Sequence, residues 1–212
     1  MNVVLARPSW RGWLHAAAFA AAIPAGIVLI LSAGGAAART GASIYVAGVL
    51  LGFGTSAAYH RLARSDGARR IMQRLDHSMI FVLIAATYTP ICLIALPRSW
   101  GIPVLVAVWA AAALGIVIKL TAFDRLPRLG YAMYPILGWA AVIAMPVMVT
   151  HLTAAQLALV IAGGLMYTLG LPVLITKRPN PWPARFGYHE VWHSFTIVAG
   201  VCHFAAIGLL VR

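Results

Sequence analysis

Acidic residues are nearly missing from this sequence of 212 residues. The only carboxylate side chains are those of Asp66, Asp76, Asp124 and Glu190. Charged residues of both signs make up 9% of the chain, whereas soluble domains carry roughly 25%. Hydrophobic residues make up 62%. So few charges cannot cover a surface that faces water, which excludes an ordinary soluble globular protein. The composition predicts a chain embedded in lipid.

Cysteine is also scarce, and both cysteines, Cys92 and Cys202, lie inside apolar stretches. This arrangement excludes the paired cysteines of a disulfide-stabilised extracellular domain. The formal net charge of +12 is compatible with nucleic-acid binding, but the basic residues lie between apolar stretches and form no continuous stripe. They are therefore expected to contact anionic lipid headgroups, and we expect no nucleic-acid partner.

Long apolar runs, in contrast, are abundant and are separated by short polar breaks. A bilayer core about 30 Å thick needs roughly 20 apolar residues per helix. We therefore predict an all-α fold, a seven-transmembrane-helix bundle that forms one domain over residues 1–212. The first run resembles a signal peptide, but its length favours a retained helix. The predicted spans are 13–32, 42–62, 73–96, 101–120, 130–150, 153–175 and 187–210.

The distribution of basic residues predicts the orientation of the bundle, because Lys and Arg are enriched on the cytoplasmic side. The N-terminus and the second, fourth and sixth loops hold Arg7, Arg11, Arg61, Arg64, Arg69, Arg70, Arg74, Lys119, Arg125, Arg128, Lys177, Arg178 and Arg185. The other side holds Arg39, Arg98 and Arg212. This imbalance predicts a cytoplasmic N-terminus and an external C-terminus.

Four ionisable residues then fall at one membrane face. His60 ends the second span, Asp76 begins the third, and His189 and His193 begin the seventh. All four lie at cytoplasmic ends in the predicted orientation. Ionisable groups inside membrane spans are costly and usually have a function. The sequence therefore predicts one functional site where these three spans meet.

The residue types at this site suggest a metal. His189 and His193 are four residues apart, which places them about 40° apart on one face of a helix. With His60 they form the three-histidine set of catalytic zinc sites, in which a fourth position stays open for water. Asp76 would act on that water as a general base or orient a ligand. Ser56, one turn before His60, would donate to the site or back-bond to its own helix.

Simpler interpretations also fit these residues. Each histidine could satisfy a separate helix-packing hydrogen bond, and Arg74 could form an ion pair with Asp76. The remaining histidines do not suggest ligands. His203 lies roughly 15 Å deeper than His193 along the helix and is expected to pack. We expect the others to lie at interfaces; they are His15, His77 and His151.

The segment from His189 to His193 also matches the His-Glu-x-x-His pattern of zinc proteases, in which the glutamate is the general base. Intramembrane proteases of that type need a further carboxylate ligand on a later helix. No acidic residue follows Glu190 in this sequence. We therefore favour a Glu190 that lies at headgroup level near Arg185.

Several of these segments together resemble the hemolysin III family, the bacterial branch of the progestin and adipoQ receptor superfamily, which is grouped with alkaline ceramidases. The segments are Ser56-Ala57-Ala58-Tyr59-His60, Leu75-Asp76-His77-Ser78, Ala86-Thr87-Tyr88-Thr89-Pro90, His189-Glu190-Val191-Trp192-His193 and Cys202-His203-Phe204. The resemblance implies a seven-helix bundle with zinc near the cytoplasmic face. It implies that His60, His189 and His193 are ligands, that Asp76 reaches zinc through water, and that Ser56 lies close by.

The resemblance and the site together suggest two main functions for a protein of the bacterial cytoplasmic membrane. One is a zinc-dependent, ceramidase-like hydrolase of lipid amide or ester bonds, with membrane lipids as partners and substrates. The other is a non-enzymatic regulator or sensor of membrane homeostasis with a structural zinc. A pore-forming hemolysin is less favoured because the spans contain few polar residues to line an aqueous path. An intramembrane protease is less favoured because no acidic residue follows Glu190 to serve as the further ligand.

Overall fold

The structure is a computed structural model that describes residues 8–212, so Arg7 of the predicted basic N-terminus lies outside it. The described chain is all α-helical apart from its connections. Its helices are α1 (Trp13–Leu31), α2 (Ala36–Leu62), α3 (Asp66–Pro90), α4 (Arg98–Thr121), α5 (Pro127–Trp139), α6 (Ala141–His151), α7 (Ala154–Thr176) and α8 (Tyr188–Leu210).

Within the described chain, seven helical segments are long and apolar enough to cross a membrane, because α5 and α6 together form one of them. The predicted integral membrane protein with seven helices is confirmed in these terms, while its orientation stays a prediction. Four helices begin earlier than predicted, α4 and α5 by three residues and α2 and α3 by more. α2 starts directly after Gly35, and α3 starts at Asp66 because the Ser65 side chain accepts a hydrogen bond from the amide of Ala68. Such an N-cap stabilises the start of a helix whether or not the residues that follow are apolar.

Proline alters the last part of the third span. Pro90 ends the regular α-helix, and Ile91–Ala95 continue as a π-helical turn. Proline cannot donate the backbone hydrogen bond that an α-helix requires at its position. The hydroxyl of the neighbouring Thr89 donates to the carbonyl of Ala85 and accepts from the indole of Trp109.

Close packing of α2 determines which residues meet at the predicted site. Gly41 faces Pro90, and Gly48 faces Ala86, at distances that leave no room for a Cβ atom. Small residues let membrane helices approach closely, so α2 and α3 lie side by side. On its other faces α2 meets α1 and α8 around a buried cluster that includes Tyr45 and Phe53. The last turn of α2 therefore lies beside the first turns of both α3 and α8.

Candidate metal centre

Three imidazoles meet where α2 ends and α8 begins. His60 comes from the last turn of α2, and His189 and His193 come from the first two turns of α8. One ring nitrogen from each lies within 4.8 Å of the others, and the Nε2 atoms of His60 and His189 are 3.0 Å apart. His60 and His193 are buried and His189 is half-buried. The structure thus brings together the three histidines that the sequence singled out.

This arrangement fits a zinc ion. Zinc binds imidazole nitrogens at about 2.0–2.1 Å in tetrahedral geometry, which places two such nitrogens about 3.3 Å apart. The separation of 3.0 Å between the His60 and His189 nitrogens is close to that value. Three histidine ligands leave one tetrahedral position for water or a substrate oxygen. The group could therefore hold a metal ion, and its identity as zinc stays a prediction.

Asp76 and Ser56 lie next to each other beside this centre. Ser56 is buried one turn before His60 on α2, and its hydroxyl lies close enough to the half-buried Asp76 carboxylate on α3 to interact with it. The alternative that Arg74 pairs with Asp76 is wrong. Arg74 instead donates to the carbonyl of Leu120 and pairs with Asp124 at 3.5 Å. Asp76 is therefore not neutralised by its neighbour, and its contact with a metal-bound water stays a prediction.

His15 was assigned wrongly to an isolated interfacial position. It is buried, and its ring stacks on that of His193 with centroids 3.7 Å apart and planes 6° from parallel. The hydroxyl of Thr196 donates to the carbonyl of His193, so its oxygen accepts from Nε2–H of His15 at 3.1 Å. One signal was available in the sequence: His15 opens the first span and so lies at the same predicted face as the other three histidines.

The stacking makes a testable prediction. We expect His15→Ala to weaken zinc binding about 10- to 100-fold, the usual cost of losing a group that orients a metal ligand. His15→Phe retains a flat ring against His193 and should retain most of the affinity. Competition with a chromophoric chelator measures both constants. If His15→Ala binds zinc as tightly as wild type, His15 does not orient His193.

The predicted position of Glu190 near Arg185 was wrong, because its side chain is fully buried and pairs with Arg11 instead. One carboxylate oxygen pairs with the guanidinium of Arg11, and the other accepts from the amide of Gly187 at 2.9 Å. The contact between the Gly187 amide and the Glu190 carboxylate caps the start of α8. Since both oxygens are engaged, Glu190 is poorly placed to act as the general base of a His-Glu-x-x-His protease.

The Arg11–Glu190 ion pair joins the segment before α1 to the first turn of α8. The amides of Ser9 and Trp10 donate to carbonyls of Ala184 and Arg185 in the loop that precedes α8. The chain can approach this closely because Gly12 adopts φ +84°, and a Cβ atom there would lie 2.6 Å from the Cβ of His60. The N-terminal segment thus covers the metal centre from one end of the bundle.

Removing Arg11 should therefore destabilise the fold. Arg11→Ala leaves the Glu190 carboxylate buried without its charge partner. Breaking a buried ion pair in this way lowers the free energy of unfolding by about 3–5 kcal/mol. Arg185→Ala is the matched control, because Arg185 is exposed. Chemical denaturation in detergent measures both. A larger loss of unfolding free energy for Arg185→Ala than for Arg11→Ala would support the original prediction that Glu190 lies near Arg185.

Two of the remaining histidines behave as structural groups. The Nε2 atom of His203 contacts the carbonyl of Val160 at 3.2 Å, which confirms its predicted packing role. His151 is exposed at the end of α6 and contacts the carbonyl of Val147. His77 lies between Phe123 and Tyr131 and faces away from the three-histidine centre.

Comparison with known proteins finds a matching family profile and similar bacterial proteins. A family profile described as "Haemolysin-III related" matches residues 3–204. The chain is 32% identical over 188 residues to the "Hemolysin-3 homolog" of Bacillus subtilis (strain 168), covering 87% of this chain and 85% of that protein. It is 31% identical over 178 residues to the "Hemolysin-3" of Bacillus cereus, covering 82% and 78%.

Proposed function

This chain belongs to the haemolysin-III-related family, and we propose that it is a zinc-dependent hydrolase of lipid amide or ester bonds in the bacterial cytoplasmic membrane. The zinc ligands are His60, His189 and His193. Membrane lipids are its partners and supply its substrate. The two Bacillus relatives are named as hemolysins, whereas the proposal for this chain is lipid hydrolysis.

The observation that carries this proposal is the clustering of three imidazole nitrogens within 4.8 Å at one end of the bundle. Three neutral ligands with a fourth open position are typical of catalytic zinc, whereas structural zinc usually has four protein ligands. When bound, zinc would polarise a carbonyl oxygen and make a bound water a stronger acid. The centre lies near the ends of its helices, the depth at which the amide or ester linkages of lipids are found.

The protein's own contribution to hydrolysis is the Asp76–Ser56 pair. Asp76 is proposed to accept a proton from the attacking water and to return it to the leaving nitrogen or oxygen as the carbonyl carbon–heteroatom bond breaks. Ser56 fixes the orientation of that carboxylate through its contact with it. The stacked His15 holds the His193 ring in place. These contacts support a preorganised site, in which little rearrangement is needed during reaction.

A second function is favoured by one feature of the same site. Its three ligands come from two helices, α2 and α8, so a bound zinc would join them irrespective of any reaction. In this alternative the zinc is structural, and the protein is a non-enzymatic regulator of membrane homeostasis. The two functions make different predictions about lipid turnover.

Proteoliposomes test this difference directly. Wild-type protein is reconstituted with a lipid amide and a lipid ester, and released fatty acid is measured by mass spectrometry after chelation and again after zinc is restored. Hydrolysis that is lost and regained with zinc supports the enzyme. Protein that holds one zinc per chain but releases no fatty acid from either class of lipid supports the structural alternative and contradicts the hydrolase.

A further inference from the structure

A buried lysine lies close to the metal centre, although the sequence analysis had assigned it to a cytoplasmic loop. Lys119 is 1% exposed near the end of α4. Its ammonium lies 3.9 Å from the ring centroid of Tyr131 and between 5.1 and 5.2 Å from those of Tyr134 and Phe123. A Cβ atom at Gly130 would stand 2.9 Å from Nζ, so glycine at that position leaves the space that Lys119 fills. We call Lys119 and these three rings the aromatic box.

The polar groups of the box are incompletely satisfied. An ammonium has three N–H donors, and no hydrogen-bond acceptor or carboxylate partner is found for Lys119 among residues 8–212. His77 packs against two of the rings, and its buried Nδ1 atom has no hydrogen-bond partner in the same described chain. Cation–π contacts offset only part of the cost of burying an ammonium. Two polar groups around one cluster of rings indicate a missing polar ligand.

The chemistry of the box indicates an anion. A lysine ammonium in apolar surroundings favours a negatively charged oxygen as its partner, and charge-assisted hydrogen bonds are the strongest type. Two exposed arginines follow Phe123 in the sequence, Arg125 in the connection between α4 and α5 and Arg128 in the first turn of α5. Basic residues at a membrane face attract anionic headgroups.

The box is also continuous with the metal centre. Tyr131 lies within electrostatic range of both Asp76 and Tyr59. The ring of Tyr59 in turn contacts His60, with centroids 4.6 Å apart. The box and the three-histidine centre are thus linked through Tyr131 and Tyr59.

We propose that Lys119 and His77, enclosed by the aromatic box, bind the phosphate group of a lipid headgroup. The idea that this lipid is also a substrate rests on the proposed hydrolase function. Binding of the lipid phosphate to Lys119 and His77 does not depend on that function. The shared chemistry is a phosphate oxygen, which either a phospholipid or free inorganic phosphate can supply. The test measures binding alone, so a failure to find catalysis leaves its result unchanged.

The sequence offers an internal control, because Lys119 and the exposed Lys177 are its only two lysines. Wild-type protein in neutral detergent is labelled by reductive methylation, and each lysine is followed by mass spectrometry. A phosphatidic acid at about ten times its Kd should slow labelling of Lys119 about tenfold and leave Lys177 unchanged. A diacylglycerol with the same chains should protect neither.

The other outcomes separate the sources of the ligand. Equal protection of Lys119 by inorganic phosphate would support phosphate recognition but overturn the lipid as its source. Equal protection by diacylglycerol, no protection at all, or a Lys119 that is not labelled even without lipid would overturn the proposal, because a box that admits a phosphate group must also admit formaldehyde. A second measurement is the shift in thermal midpoint that phosphatidic acid causes in Lys119→Met and in Lys177→Met. We expect the shift to be lost only in Lys119→Met; a shift retained there contradicts the site. If Lys119→Met does not fold, wild-type labelling alone decides.

Discussion

Asp76→Asn should lower lipid hydrolysis about 10²- to 10⁴-fold, the usual contribution of a positioned general base, without loss of the metal. The amide side chain keeps the size of the carboxylate and can still interact with the Ser56 hydroxyl. It cannot take up a proton from water. The measurement is fatty-acid release in proteoliposomes, together with elemental analysis of the same preparation.

Asp66→Asn is the matched control, because Asp66 lies on the same helix and is exposed at its first turn. We expect its turnover to stay close to that of wild type. An Asp76→Asn variant that keeps both its zinc and its full activity would remove Asp76 from the reaction. Loss of zinc together with activity would instead make Asp76 part of the metal's coordination.

Zinc removal should produce the second large effect, this time on stability. A ligand that binds only the folded state at a thousand times its Kd stabilises that state by about 4 kcal/mol. The ligands link α2 to α8 and lie under the N-terminal segment. Chelation should therefore lower the thermal midpoint of wild type, and restored zinc should recover it.

Two variants make this measurement specific. His193→Ala removes a buried ligand, so chelator and zinc should no longer change its thermal midpoint. His151→Ala changes a histidine that is exposed on α6, so it should respond to chelation as wild type does. A wild-type midpoint that is insensitive to chelation, in protein proven to have lost its zinc, would contradict a metal that joins the two helices.

The common depth of the three histidines could be predicted because it depends on two simple properties. Hydropathy defines the spans, and successive spans alternate in direction. His60 at the end of the second span and His189 at the start of the seventh must then lie at the same face of the membrane. Sequence spacing alone places His193 one turn further along the same helix face. These properties fix only the depth of the three histidines in the membrane, and the prediction that they meet came from their chemistry, since three imidazoles form a zinc ligand set.

Lateral contacts could not be predicted in the same way. The stacking of His15 on His193 and the pairing of Arg11 with Glu190 depend on α1 lying beside α8. Neither hydropathy nor the charge of the loops states which helices are neighbours in the bundle. Lys119 was assigned to a loop because it is basic and ends an apolar run, whereas the aromatic rings that enclose it come largely from α5.

Metal content per chain is the most direct test of the three-histidine zinc site. Wild-type protein purified without added metal, beside His60→Ala and His193→Ala, would be analysed by inductively coupled plasma mass spectrometry, with folding checked by circular dichroism. The account predicts about one zinc per wild-type chain and near-complete loss in both variants. Folded wild-type protein without stoichiometric metal, or variants that retain it, would contradict the assignment of His60, His189 and His193 as its ligands.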